Sequence, residues 1–214
     1  MSDIMDITGF ILSGSLITIQ LFFITAIFSI PLGCLVALGK ISKIKPIKAI
    51  LSLYTWAFRG TPLLLQLFFT YFGLPVIGIR LSPLAAASIA FTINYAAYLA
   101  EIFRSGIESI DKGQFEASKV LGMNYCQTMI KIIIPQAIRN VIPPVCNESI
   151  NLIKDSALVA TIGVGDLLRA AKEVVTRDFT ITPFIIAAIL YLILTSVLVM
   201  AFRKLEKNIL LINI

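Results

Sequence analysis

The chain has 214 residues, of which 58% are apolar and 14% charged, and its mean hydropathy of +0.94 is more than a water-soluble domain of this size can bury. The formal net charge of +6 is scattered between apolar runs instead of gathered in one patch, which argues against nucleic acid and reads as the basic flanks of membrane spans. There is no histidine, and Cys34, Cys126 and Cys146 lack metal-ligand spacing, so no metal site is expected and the thiols read as inert.

A helix needs roughly 20 apolar residues to cross the hydrocarbon core. Asp3 and Asp6 stand where the basic flank of a leader would be, so no signal peptide is expected. Residues 7–39 carry no charge and supply a first span at about 8–39. The runs 50–58 and 60–79 supply a second, at about 50–78, with Pro62 in its first turn. A third follows at about 82–104, and a very clean last one at about 180–203. A less obvious fourth, at about 138–164, holds Pro143, Pro144, Asn147, Glu148, Asn151, Lys154 and Asp155. Such polar groups are tolerated where a helix faces protein or a water-filled path. The fold expected is therefore all-α and polytopic, five membrane helices in one domain over residues 1–214.

Lysine and arginine placement orients it. Lys40, Lys43, Lys45 and Lys48, then Arg104, Lys112, Lys119 and Lys131, then Arg203, Lys204 and Lys207 all fall on one side if there are five spans. The positive-inside rule makes that side cytoplasmic, with the N-terminus outside and the C-terminus in the cytoplasm. Residues 166–178 mix both signs and read as an outer loop or interfacial helix.

The segment from Gly113 to Pro135 carries the most information. Its first half suits a short amphipathic helix with Ala117, Val120 and Leu121 on one face and Glu116 and Lys119 on another. Gly122 can end that helix in the left-handed conformation. A second short helix is expected through Thr128–Ile134, with Pro135 breaking or bending it before the fourth span. Glu116, Ala117, Gly122, Ile132 and Pro135 stand at the spacing of the EAA loop, so this chain resembles the permease subunits of ATP-binding-cassette importers. Two departures are conservative: Ser118 replaces the loop's second alanine, and Ile134 its leucine. The stretches 59–66, 97–107 and 147–156 resemble the polar amino acid branch of that family.

The resemblance implies a coupling helix in the cytoplasm and a second permease subunit, identical or closely related. It also implies ATPase subunits below and a solute-binding protein above, in a bacterial-type inner membrane. No phosphate-binding GxxxxGK[ST] motif occurs. ATP and Mg therefore belong to a separate ATPase chain, no cofactor is expected here, and the chain is expected not to be an enzyme.

Several polar residues are candidates for a substrate path. Glu148, Asn151 and Asp155 recur at three- and four-residue steps on one helix face, with Lys154 beside them. That stripe lines either a path or a seam between two permease copies. Asn94, Tyr95 and Tyr98 offer hydrogen-bonding groups at a common depth on the third span. Glu101 either touches substrate or pairs with Arg104 one turn later. Arg59 either snorkels to the interface or has a structural or gating role, as does Pro62 beside it. The expected function is alternating-access import of polar amino acids, with basic amino acids or else glutamine or cystine as substrate. The rival is a proton-coupled carrier in which Glu101, Glu148 or Asp155 relays protons.

Overall fold

The computed structural model describes residues 4–211, with side chains to residue 208; Asp3 lies outside this range. Helix α1 (Ile4–Ile41) is long because nothing charged interrupts it before Lys40, and Pro31 is carried inside it. One face is a stripe of small residues, including Ser15, Thr18, Thr25, Ser29, Gly33 and Ala37, all buried. It packs along the alanine-rich face of α4 (Pro83–Glu108), where Ala86, Ala87, Ala90, Ala96, Ala97 and Ala100 are buried. Small residues let helix backbones approach closely in lipid, where packing replaces the hydrophobic effect as the driving force. The opposite face of α1 exposes Leu16, Phe23, Ile27, Phe28 and Leu35.

The second expected span is broken. Helix α2 (Lys45–Gly60) and the helical stretch from α3 (Leu63–Phe68) to Ile77 meet at 104°. Proline disfavours the helical conformation in the residue before it, and Thr61 and Pro62 are both extended, at ψ 146° and 134°. Pro62 thus precedes the first turn of α3 and belongs to the break. Beyond α3 the chain widens into a π turn (Phe69–Gly73) and tightens into a 3-10 turn (Leu74–Ile77).

After α4, helix α5 (Lys112–Val120) starts on Asp111, whose side chain accepts the Gly113 N–H. Helix α6 (Tyr125–Thr128) begins with a reciprocal Asn124–Gln127 capping box, three residues before the start read from sequence. Pro135 does not break the chain. A π turn at Met129–Ile133 leads directly into α7 (Ile134–Asp155), which takes Pro135 in its first turn and carries Pro143 and Pro144 internally. Pro135 has no N–H to donate back into the preceding turn, and the wider π turn takes up that missing bond without ending the helix.

A 3-10 turn (Ser156–Ile162) follows, then α8 (Leu167–Asp178) and α9 (Thr182–Leu211). Buried Asp166 caps α8 by accepting from the Leu168 and Arg169 N–H groups and from the Tyr191 hydroxyl of α9. Burial pushes its carboxyl up from the ordinary aspartate value, against those three hydrogen bonds. The α8 backbone crosses α1 closely: a Cβ on Gly14 would lie 2.7 Å from the Asp166 carbonyl oxygen.

Among the described residues three helices are long and apolar enough to cross a membrane, or four if the bent pair is one span. Helix α7 is not among them, because its prolines, Arg139, Glu148, Lys154 and Asp155 lower its hydropathy. The main core gathers Leu21, Leu67, Phe91, Tyr95, Leu152 and Val159 from α1, α3, α4, α7 and the turn after it. A second cluster joins α1, α8 and α9, and a third joins Ile110 to Met129, Ile133 and Ala137.

Candidate functional site

The break between α2 and α3 exposes the carbonyl end of α2, and the fold satisfies it with two amides. Gln66 Nε2 donates to the carbonyls of Phe58 (2.9 Å) and Thr61 (3.2 Å) and to Thr61 Oγ1 (2.8 Å). Asn94 Nδ2 donates to Phe58 O and to Gln66 Oε1, both at 3.0 Å. Asn94 is buried, so its amide holds the break in place while forming part of the wall behind it.

In front of the break lies a cavity of about 640 Å³. It brings together Arg59 and Pro62 from the break, Asn94 and Tyr98 from α4, and Glu148, Asn151 and Asp155 from α7. The guanidinium of Arg59 sits 5.4 Å from the Tyr98 ring centroid, within cation–π range. Tyr98 donates back to the Arg59 carbonyl at 3.3 Å. Tyr95, 4% exposed, donates to Asp155 Oδ2 at 2.7 Å and ties α4 to α7. The cavity thus presents two carboxylates on one wall and one guanidinium on another.

Two candidates lie elsewhere. Lys154 is exposed and is not part of this lining. Glu101 does not line the cavity either, for its carboxylate is used by two cations. One is Arg104, through Nε (2.9 Å) and Nη2 (2.7 Å); the other is Lys40, at the end of α1. Thr55 of α2 joins the same cluster, accepting from Lys40 Nζ at 2.6 Å and reaching Glu101 Oε1 at 3.1 Å. Arg104 continues the chain to Glu108. Of the two readings open for Glu101, the geometry displays the pairing. Lys40 was read from sequence only as a topological marker, and nothing local announces that it is buried against a residue 61 positions away.

The loop between α4 and α7 forms a second functional candidate. Gly122 lies at φ +72° and ends α5 as expected, with Gly122 N–H bonded to Lys119 O and Met123 N–H to Ser118 O. Ser118 is buried and accepts from Thr128 Oγ1 at 3.0 Å, pinning α5 against α6. A hydroxyl at this position therefore makes a contact that alanine would not. Glu116 and Ala117 are exposed, as are Val120 (87%), Leu121 (76%) and Tyr125 (67%). Ile132 lies in the π turn and Pro135 at the start of α7, beside Gln114, Gln136 and Arg139.

No group of three or more metal-ligating side chains occurs among the described residues. Residues 29–210 match the family model of the binding-protein-dependent transport system inner membrane component. The chain is 41% identical over 201 residues to the arginine transport system permease protein ArtQ of Bacillus subtilis, covering 93% of this chain and 92% of that one. It is 41% identical over the same length and shares to the putative glutamine transport system permease protein GlnP of Rickettsia bellii. With the L-cystine transport system permease protein TcyB of Bacillus subtilis it shares 40%, over 92% of this chain and 86% of that one. Among solved structures, an amino acid ABC transporter crystallised with histidines superposes at a TM-score of 0.89 and 38% identity, covering 97% of this chain and 99% of that chain. An inward-facing MetNI methionine transporter shares the fold, at a TM-score of 0.75 and 20% identity, over 98% and 99% of the two chains. The chain belongs to the family of binding-protein-dependent transport system inner membrane components.

Proposed function

We propose that this chain is the membrane subunit of an ATP-driven importer of polar amino acids, with the 59–62, 94–98 and 148–155 cavity as its substrate path. The observation that carries this reading is the cavity itself: charged and amide side chains from three helices converge inside an otherwise apolar body. In lipid such groups are costly and mark substrate routes. Glu148 and Asp155 are suited to an ammonium or guanidinium, and Arg59 to a carboxylate, the pair of charges any amino acid presents. Names of relatives that include arginine, glutamine and cystine support the amino acid class and leave its side chain open.

The chain crosses the membrane five times, with α7 as the polar span, the N-terminus outside and the C-terminus in the cytoplasm. The exposed patch of Glu116, Ala117, Val120, Leu121 and Tyr125 is where a separate ATPase subunit docks, carrying ATP and Mg. A second permease copy or paralogue covers the open side of the cavity, and a solute-binding protein delivers substrate from outside. Both α4 and α7 run straight into the 109–133 loop. Displacement of α5 by a closing ATPase therefore reaches both helical walls of the cavity and shifts the balance of inward and outward states. The proton-coupled carrier finds no support among the relatives, and Glu101, its first candidate relay, is held between two cations.

The test is reconstitution with the ATPase and binding-protein partners and measurement of radiolabelled arginine, glutamine and cystine uptake. Uptake is expected to require ATP and to fall at least tenfold in Glu148→Gln, while Glu116→Lys abolishes co-purification of the ATPase. Uptake that persists without ATP and collapses with the proton gradient would overturn the reading.

A further inference from the structure

The turn after α1 and the first half of α2 hold a cationic cluster with no role in the cavity or in the Glu101 network. Lys43, Lys45 and Lys48 are exposed. None has an ion-pair partner among the described residues, in contrast to Lys40 a few residues earlier. These lysines follow directly on the uncharged stretch 7–39, which places them at the polar boundary of the membrane.

Helix α2 runs inward from that boundary at a slant, for Tyr54 donates to the Ile93 carbonyl and the Phe58 carbonyl accepts from Asn94, both midway along α4. It meets the α3–Ile77 stretch, which packs along α4, at 104°. Its inner face is taken by Leu51 against Gly39, Thr55 against Lys40 and Glu101, and Phe58, whose carbonyl meets Asn94. On the other face Lys45, Ala49, Leu53 and Trp56 follow one another at three- and four-residue steps, with Ile50 beside them. Leu53 is 62%, Ile50 67% and Trp56 73% exposed. A helix with lysines at its boundary end and exposed leucine, isoleucine and tryptophan along one face presents cations to the headgroup region and apolar surface to the acyl chains just inside it.

We propose that Lys43, Lys45 and Lys48, with the exposed face of α2, form a binding surface for anionic phospholipid. The lysines hold the phosphate-bearing headgroups while Ile50, Leu53 and Trp56 sit among the upper acyl carbons. Charge selects the occupant: a zwitterionic headgroup leaves three clustered cations uncompensated, and an anionic one does not. Because α2 carries Arg59 at its far end and Thr55 in the Glu101 cluster, lipid held here steadies the arm that forms one wall of the cavity.

Trp56 is the only tryptophan of the chain and reports on this face directly. The full chain is reconstituted in phosphatidylcholine vesicles containing either brominated phosphatidylglycerol or brominated phosphatidylcholine at equal mole fraction. Each lysine near an anionic surface favours the anionic lipid by up to roughly fivefold, so brominated phosphatidylglycerol is expected to quench Trp56 more strongly. Raising the salt shrinks that difference. The K43Q/K45Q/K48Q variant, on an exposed turn and checked for an unchanged thermal transition, loses the difference but keeps the quenching common to both lipids. Equal quenching by the two lipids in the unsubstituted chain overturns the proposal, as does a preference that survives the triple substitution. Absence of quenching by either lipid also overturns it, and places protein over the face instead.

Discussion

Replacing Glu101 by glutamine tests whether the cluster at the end of α4 holds the helices together. Side-chain exposure is 8% for Lys40 and 14% for Glu101, so the substitution strands a buried ammonium without an anion. Removing one partner of a buried pair costs about 3–5 kcal/mol. Thr55 still accepts from Lys40, and Arg104, at 31% exposed, keeps Glu108, so the low end applies, about 3 kcal/mol. For a chain of this length that corresponds to a fall in Tm of about 6–12 °C. Lys40→Met leaves Glu101 paired with Arg104 and removes the buried charge outright, so it costs less. In the double variant the loss should barely exceed that of Lys40→Met, giving a coupling close to the full Glu101→Gln loss, about 3 kcal/mol. Thermal unfolding of the four proteins in one detergent measures the cycle. A Glu101→Gln shift below about 2 °C, or losses that simply add, would show that the pair is not the fastening described.

Three further outcomes are expected. Gly122→Ala meets no neighbour within 4 Å, so its cost is conformational, about 1–2 kcal/mol for a side chain at φ +72°; hydrogen exchange across residues 112–128 should rise, and Gly122→Asn should restore most of the protection. Gly14→Ala drives a Cβ into the Asp166 carbonyl at 2.7 Å, backbone against backbone, and should lower stability by about 1–3 kcal/mol, read as a Tm shift in the same detergent. Tyr95→Phe removes the hydrogen bond to Asp155 and frees that carboxylate toward the cavity; the apparent KM for uptake should change at least threefold while ATPase co-purification stays intact, and an unchanged KM would separate Asp155 from the substrate path.

What could be read from the chain follows the range of the forces involved. The apolar runs and the glycine at 122 are local signals, and α1, α4, α9 and the end of α5 stand where those signals point. The Glu148–Asn151–Asp155 stripe was visible because helical spacing alone puts those residues on one face, and all three line the cavity. Other features depend on partners distant in sequence or on backbone adjustments that no residue type encodes. Pro62 read as a first-turn proline, yet the break it makes is sustained by Gln66 and by Asn94, the latter 36 residues from the carbonyl it holds. Pro135 read as breaking or bending the helix; it does not break it, for the preceding π turn leads directly into α7. Ser118 read as a harmless exchange for alanine, whereas its hydroxyl joins α5 to α6 through Thr128.

The placement of these features along α4 gives the fold its functional logic. Within one continuous helix, Asn94, Tyr95 and Tyr98 line the cavity, and Glu101, Arg104 and Glu108 carry the ion cluster; Ile110 just beyond the helix packs on Met129 and Ile133. The cluster fastens α4 to α1 through Lys40 and to α2 through Thr55, on the opposite side of the cluster from the loop. Under the proposed coupling, a force applied at α5 meets a helix held between its point of entry and the cavity. Such a helix can pivot about that point more readily than it can slide, because sliding would part a buried ion pair at about 3 kcal/mol. Pivoting moves Tyr95 and Tyr98 relative to Asp155 and Arg59, the two contacts that close the cavity wall. Under the proposed function Glu101 is a fulcrum for the path and not a contact in it, so the two readings of that carboxylate, substrate contact and ion pair, separate experimentally: a fulcrum residue alters stability first, and substrate affinity only through the contacts it positions.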